Sequence, residues 1–406
     1  MKLLLAGISG YGAYYMKLLT GFADLSENPL CGVVDPYPEN SPWLPWLREH
    51  NVPVYPSLEA FYGKNSADLV FLATPIALHK PQILEAIAHG SHVLCEKPLT
   101  ARIQEALELR NGRDSFGKKL GVGFQWSFCH TMQALKKDIL AGVFGRPISF
   151  STFISWKRDD AYYDPKGWKG KAYDREKGWY LDSVATNATA HYLHGLLFLL
   201  GDTMTSSAMP EYVEGSVYRA RPIESFDTVF LRGEYKGCRL LYTATHVGEV
   251  NENPTFRLCF ENGEVIFGDS TGQTVVARFH DGREIVYGKP QTDEENAQKI
   301  LRMIQCVKED EAPACSVETI LPHLAICNGI FDRFPIAGFP AELVEREESP
   351  ASLHVKGLYE EARRCYEEGL LPDEAGCSWS VPSLRFSPGE ITSFSGKRFL
   401  PAEEQE

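Results

Sequence analysis

The sequence predicts an α/β protein in two parts: a doubly wound parallel sheet, then an α+β part built on a large, mainly antiparallel sheet. Three observations predict this. Short apolar runs at Lys2–Ala6, Leu30–Val34, Leu69–Ala73, His92–Cys95 and Leu120–Phe124 alternate with segments long enough for crossover helices. Such alternation implies parallel strands covered on both faces. From Val213 to Tyr287 strand follows strand instead: Thr228–Tyr235, Arg239–Thr245, Phe256–Phe260, Glu264–Phe267, Thr274–Phe279 and Glu284–Tyr287. Between these, Asn262-Gly263 and Asp281-Gly282 tolerate the positive φ of tight hairpin turns.

The remaining elements follow in order. Met132–Ala141 reads as a helix that Gly145-Arg146-Pro147 punctuates. Trp156 to Tyr180 is aromatic and polar, with too little periodicity for a core element, and Asp182–Leu200 is a strongly apolar helical segment. Helices are expected at Glu294–Glu309, Val317–Phe331 and about Ala351–Glu368, followed by a Pro/Ser-rich extended arm. The expected divisions are residues 1–125, 126–340 and 341–406.

Composition narrows the function. The chain has 406 residues, 44% hydrophobic and 23% charged, and a net charge of −13 with no basic block. Neither a nucleic-acid backbone nor an anionic membrane is expected as partner, since both need a concentrated basic face. Gly7, Gly10 and Gly12 interrupt the apolar start too early for a signal peptide. No apolar run reaches the roughly 18 residues of a spanning helix. Ten cysteines are scattered without a Cys-x-x-Cys pair, which suits reduced thiols in a cytoplasmic protein.

The chemistry begins where the first strand runs into Gly7-Ile8-Ser9-Gly10-Tyr11-Gly12 and then a helix. A dinucleotide loop needs glycines where the chain turns, approaches a pyrophosphate and packs helix against strand. A strict G-x-G-x-x-G has glycines at 7, 9 and 12, so Ser9 breaks the middle position and Gly10 stands beside it. The second strand ends in Val33-Val34-Asp35, an acid placed for a ribose 2′-hydroxyl or, alternatively, a turn residue before Pro36. No Arg or Lys follows closely to receive a 2′-phosphate, so the expected cofactor is NAD rather than NADP. Thr74 and Pro75 end the third apolar run, with His79 beyond them as a ligand of the cofactor or a helix-surface histidine.

Lys97 sits in Val93-Leu94-Cys95-Glu96-Lys97-Pro98-Leu99, directly after an apolar strand. Glu96 can orient or charge-balance it, and Pro98 restrains the backbone. A partly buried lysine serves as a general acid/base.

Together, Gly7–Gly12, Asp35, Ala73-Thr74-Pro75 with His79, and Glu96-Lys97-Pro98 resemble the Gfo/Idh/MocA oxidoreductases over about residues 1–205. The resemblance implies a Rossmann domain, a nicotinamide cofactor, redox chemistry at a sugar-like secondary alcohol, and homo-oligomers joined through the second-domain sheet. It also implies a catalytic histidine, which falls on His191, ten residues before Gly201. The family's flanking aspartates fall on Asn187 and His194, and both are departures.

Spacings of four and three place Asn187, His191 and His194 on one face of a helix that is otherwise apolar, and such a stripe faces a cavity or satisfied core partners. Lys97, His191 and Asn187 are therefore the expected catalytic residues, with Asp182 available to the relay. Gly7, Ser9, Gly10, Tyr11, Gly12, Asp35, Thr74, Pro75, His79, Glu96 and Lys97 are expected around NAD. Trp156, Lys169, Asp182, Asn187, His191 and His194, with Lys97, are expected around substrate. Aromatic faces there stack on sugar C–H faces, while Lys and Arg bind hydroxyls or carboxylates. The expected substrate is a neutral polyhydroxylated ring, and no metal is expected. Two other readings stand beside the dehydrogenase: redox-neutral cleavage of a glycoside, and a non-catalytic dinucleotide sensor.

Overall fold

In the computed structural model, which describes residues 1–23 and 25–401, the chain forms two units. Met1–Gln133 joins Pro290–Leu321 in the first, and Ala134–Lys289 joins the chain from Pro322 onward in the second. Divisions at 125 and 340 follow chain order; the observed units do not. A helix distant in sequence returns to the first unit, and the carboxyl-terminal arm is part of the second.

The first unit holds strands β1 (Leu3–Ala6), β2 (Leu30–Val34), β3 (Val54–Tyr55), β4 (Leu69–Leu72), β5 (His92–Cys95) and β6 (Leu120–Val122). They form one sheet in the order β3-β2-β1-β4-β5-β6, every pair parallel. This is the doubly wound order, with its switch point between β1 and β4. Leu3, Leu4, Leu5, Leu69, Val70, Phe71, Val93 and Leu94 are wholly buried, as strands covered on both faces require. Its helices are α1 (Tyr11–Gly21), α2 (Leu44–Glu49), α3 (Leu58–Tyr62), α4 (Ile76–Ala88) and α5 (Ile103–Ser115); α6 (His130–Leu140) crosses into the second unit. β3 is too short for its two residues to announce themselves, so the lysine strand is fifth, not fourth.

The second unit opens with β7 (Pro147–Ser155) and a small ribbon of β8 (Tyr173–Asp174) with β9 (Gly178–Trp179). A π-helical turn, Val184–Ala188, precedes α7 (Ala190–Leu199). Strands β10 (Tyr212–Arg219), β11 (Thr228–Tyr235), β12 (Cys238–Thr245), β13 (Glu252–Phe260), β14 (Gly263–Phe267), β15 (Val275–Phe279) and β16 (Glu284–Gly288) follow. Helix α8 (Asp293–Glu309) belongs to the first unit, and α9 (Val317–Arg333) crosses back into the second. Last come β17 (Ile336–Gly338), the hairpin β18 (Val344–Glu348) and β19 (Ala351–Val355), α10 (Leu358–Glu368) and β20 (Leu384–Phe386).

The large sheet runs β16-β15-β14-β13-β7-β12-β11-β10-β17, with β20 also on β10. It is mainly antiparallel, but β7 pairs parallel with β12, and β17 parallel with β10. Alternation assigns its two faces. Phe153, Phe230 and Tyr218 pack with Leu358, Ala362 and Trp379 under α10. On the other face the Tyr242 hydroxyl meets Thr189 Oγ1 at 2.5 Å, at the start of α7. Two expectations change here. Residues 351–355 form a strand, not the start of a helix. The extended arm is anchored through β20 on β10. Among the described residues, no helix is long and apolar enough to cross a membrane.

Candidate active site

The expected cofactor residues gather at the carboxyl ends of β1, β2, β4 and β5. Gly7 has φ +83°, and a Cβ there would lie 2.6 Å from the Ala73 carbonyl oxygen; one on Gly12 would lie 2.1 Å from the Gly7 oxygen. Only glycine permits both approaches, which draw the β1 loop against the β4 loop and seat the start of α1 on its own turn. Ser9 Oγ is buried within this loop and has no hydrogen-bond partner. Asp35 accepts from Ile8 N at 3.0 Å and Tyr37 N at 2.9 Å, so the acid also fixes the loop. An orphan hydroxyl, a glycine cradle and a carboxylate at the second strand fit a dinucleotide.

His79 is not a surface residue. It is buried, with Nε2 2.8 Å from the Thr74 carbonyl oxygen and Nδ1 at 3.0 and 3.2 Å from those of Pro98 and Leu99. Burial pushes its pKa down while the three carbonyls oppose that. Both nitrogens are engaged, so it clamps the loops after β4 and β5 together. Thr74 Oγ1 donates to Gln82 Oε1 at 2.6 Å, and Pro75 leads into α4.

Glu96 also departs from expectation. Its Oε1 accepts from Lys299 Nζ at 2.5 Å and Tyr15 Oη at 2.7 Å, while Oε2 takes the Lys97 backbone N–H at 3.2 Å. Lys299, from α8, is fully buried; its ammonium lies 4.7 and 4.4 Å from the Tyr11 and Tyr15 ring centres and donates to Tyr11 Oη at 3.2 Å. Burial opposes its charge, but Glu96 and Tyr11 prevail and hold its pKa above the ordinary value. Burial raises the pKa of Tyr11 in turn. Lys299 is thus the partner of Glu96, and the ion pair anchors the backbone from which Lys97 projects. Lys97 follows β5, is half-buried, and precedes Pro98 across a cis bond.

In the second unit the expected single helix is two elements. Leu181 has φ +48°, the π turn carries Asn187, and Thr189 (φ −108°, ψ 10°) separates it from α7, where His191 is the second residue. π turns of this kind recur at functional sites. Asn187 and His191 are half-buried, but His194 is wholly buried, stacked on Phe198 and edge-on to His323. Burial, then the nearby His323 and Lys136, push its pKa well down. His194 is therefore a neutral core residue, not part of the substrate surface. The break at Thr189 cancels the expected single-face phase.

Asp182, buried, accepts from Gly170 N at 2.6 Å and Asn187 Nδ2 at 2.8 Å. Gly170 lies within the aromatic stretch, so Asp182 ties that stretch to the π turn. Trp156 meets Tyr192, beside His191, edge-on at 5.7 Å, and Lys169 lies over Trp168 at 4.0 Å. Burial lowers the Lys169 pKa, with Asp182 opposing. Among the described residues, no cluster of three or more His, Cys, Asp or Glu could hold a metal.

A doubly wound sheet carrying a glycine loop, an acid after the second strand and a lysine after the fifth defines a nicotinamide-dinucleotide-binding domain. Residues 1–124 match the model of the Gfo/Idh/MocA oxidoreductase family, NAD-binding Rossmann fold. It is 32% identical over 148 residues to 1,5-anhydro-D-fructose reductase of Ensifer adhaerens, covering 36% of this chain and 41% of the relative. It is 44% identical over 80 residues to inositol 2-dehydrogenase of Rhodococcus jostii, covering 20% and 22%. The chain thus matches less than half the length of either relative. The WlbA dehydrogenase of Bordetella pertussis, solved with NADH and UDP-GlcNAcA, shares the fold at TM-score 0.66 and 24% identity, over 80% of this chain and 93% of that one.

Proposed function

We propose that the chain is an NAD-dependent oxidoreductase that transfers a hydride between nicotinamide and a secondary hydroxyl of a sugar, polyol or glycoside. The observation that carries it is Lys97 at the end of β5, anchored through Glu96 and Lys299, in the row of strand ends that also carries the Gly7 loop and Asp35. NAD, when bound, supplies the hydride acceptor. The protein's own task is then to hold the substrate and move one proton. Lys97 Nζ takes the hydroxyl proton during oxidation and returns it during reduction, and His191 serves as an acid/base group of the second unit. Asn187, its amide fixed by Asp182, positions the hydroxyl.

The matched 1,5-anhydro-D-fructose reductase and inositol 2-dehydrogenase act on polyhydroxylated rings by name, in keeping with this reading. All ten cysteines are free thiols, which supports a reducing, cytoplasmic setting. Self-association is proposed from the family resemblance, with light scattering as its check. The functional test is a panel of sugars, polyols and glycosides with NAD, following NADH and released aglycone together. NADH formation is expected. Aglycone release without net NADH establishes redox-neutral cleavage instead, and neither signal across the panel overturns the proposal.

A further inference from the structure

Two cations in the second unit form no ion pair among the described residues. Arg158 lies 5.3 Å from the Trp156 ring centre and 4.9 Å from that of Tyr162; Lys169 lies 4.9 Å from the same Tyr162 ring and 4.0 Å from Trp168. Neighbouring cations are neutralised: Lys157 by Glu347, Lys171 by Asp174, and Arg221 by Asp160. Arg158 and Lys169 have no such partner among the described residues. Arg158 Nε is buried without a hydrogen-bond acceptor. His246 is also buried; Nδ1 meets Tyr163 Oη at 2.7 Å, while Nε2 has no partner. Burial and the surrounding Arg158, Lys169 and Arg221 keep this imidazole neutral.

Partly buried cations are normally paired, because desolvation otherwise goes uncompensated. Two of them sharing one aromatic ring make an arrangement that an anion from outside completes. The charge count selects which anion. Arg158 and Lys169 contribute two positive charges and Asp182 one negative, leaving one positive charge. A carboxylate balances that; a dianionic phosphate overshoots it. The cluster is also connected to the proposed catalytic residues. Arg158 stacks on Trp156, which packs on Tyr192 beside His191, and Lys169 adjoins Gly170, whose N–H binds the Asp182 that holds Asn187.

We propose that this unit recognises a sugar acid, its carboxylate held between Arg158 and Lys169 and its ring against Trp156 and Trp168. This rests on the dehydrogenase reading, and it replaces the neutral ring expected from sequence. It makes Arg158 a specificity-determining residue.

Calorimetry on the full chain saturated with NAD tests it, with D-glucuronate, D-galacturonate, D-gluconate, D-glucose, D-galactose and D-glucose 6-phosphate as probes. At least one acid is expected to bind about ten-fold tighter than its neutral counterpart, with affinity falling as salt rises. Arg158→Gln and Lys169→Gln, each checked for a native melting transition, are expected to remove most of that preference. Arg158→Lys, which keeps the charge, is expected to retain part of it. Equal affinity for acids and neutral sugars, binding of no acid, or acid preference unchanged in both Gln variants overturns the inference. So does tighter binding of D-glucose 6-phosphate than of every acid. Following NADH with the same probes separates the two proposals. Acid binding lost in Arg158→Gln, but without NADH from any probe, leaves the subsite standing and removes the dehydrogenase. NADH from neutral sugars alone does the reverse.

Discussion

Replacing Asn187 by aspartate restores the residue that the family pattern places there, yet the structure predicts a loss. Asn187 Nδ2 donates to Asp182 Oδ1 at 2.8 Å, so Asn187→Asp sets two carboxylates face to face where a donor met an acceptor. At an effective dielectric of about 20, two like charges repel by about 6 kcal/mol at that distance and about 4 kcal/mol once they part to ~4 Å. That repulsion raises the pKa of one carboxyl of the pair well above its ordinary value. The sign follows from linkage. A carboxyl whose folded-state pKa is raised keeps its full contribution below the unfolded value near 4. That contribution is lost as pH rises towards the folded value. The Tm of Asn187→Asp should therefore match wild type at about pH 4, below the unfolded value, and fall behind progressively as pH rises. Turnover should follow: below the raised pKa a shared proton replaces the amide donor, and above it Asp182 and the π turn are pushed apart. Melting curves from pH 4 to 8 and a pH–rate comparison on the best substrate test this. A pH-independent Tm difference refutes the electrostatic argument, and higher turnover of the variant at every pH refutes the role given to Asn187.

Three other outcomes are expected. Lys97→Ala should lose at least ~10²-fold in turnover with NAD affinity within a few-fold, since a positioned acid/base contributes on that scale; stopped-flow and calorimetry read the two effects separately. Wild type should bind NAD about ten-fold tighter than NADP, and Asp35→Ala should weaken NAD and narrow the gap, because a carboxylate after the second strand repels a 2′-phosphate and this one also holds Ile8 N. Lys299→Met should destabilise the chain by about 3–5 kcal/mol, the usual consequence of leaving a buried carboxylate unpaired; denaturant titration checks it, and a change under 1 kcal/mol contradicts the ion-pair assignment.

The parallel sheet was legible because each of its longer strands is a short apolar run closed by glycine, proline or a charge, and such runs mark buried strands locally. β7 was not. It begins at the Pro147 that reads as the end of a helix. Its place between β12 and β13 depends on partners some 90 to 110 residues away. The parallel pairing with β12 arises from that insertion, which no local pattern announces. Helix α8 was visible as a helix, but nothing in its own residues says that Lys299 is destined for Glu96 across 203 positions. An amphipathic helix with a lysine on its buried face looks like one with a lysine on its surface until the partner is known.

Site residues close in sequence were read more faithfully than those set by tertiary partners. His79 and His194 both looked available and both prove buried, one clamped by carbonyls and the other set among core side chains. Asn187 is the instructive case. As a departure from the family's aspartate it suggests a weakened site, and on sequence alone that reading competes with an active one. The structure supplies the missing charge five residues earlier. Asp182 is buried, accepts the Asn187 amide, and is itself fixed by Gly170 N. The carboxylate is displaced rather than lost. Asp182 accepts the Asn187 amide and acts on Lys169, whose charge it favours against burial. An amide at 187 spares a bound anion the repulsion that a second carboxylate would add. The departure at Asn187 and the absence of an ion pair at Arg158 and Lys169 are thus two parts of one arrangement.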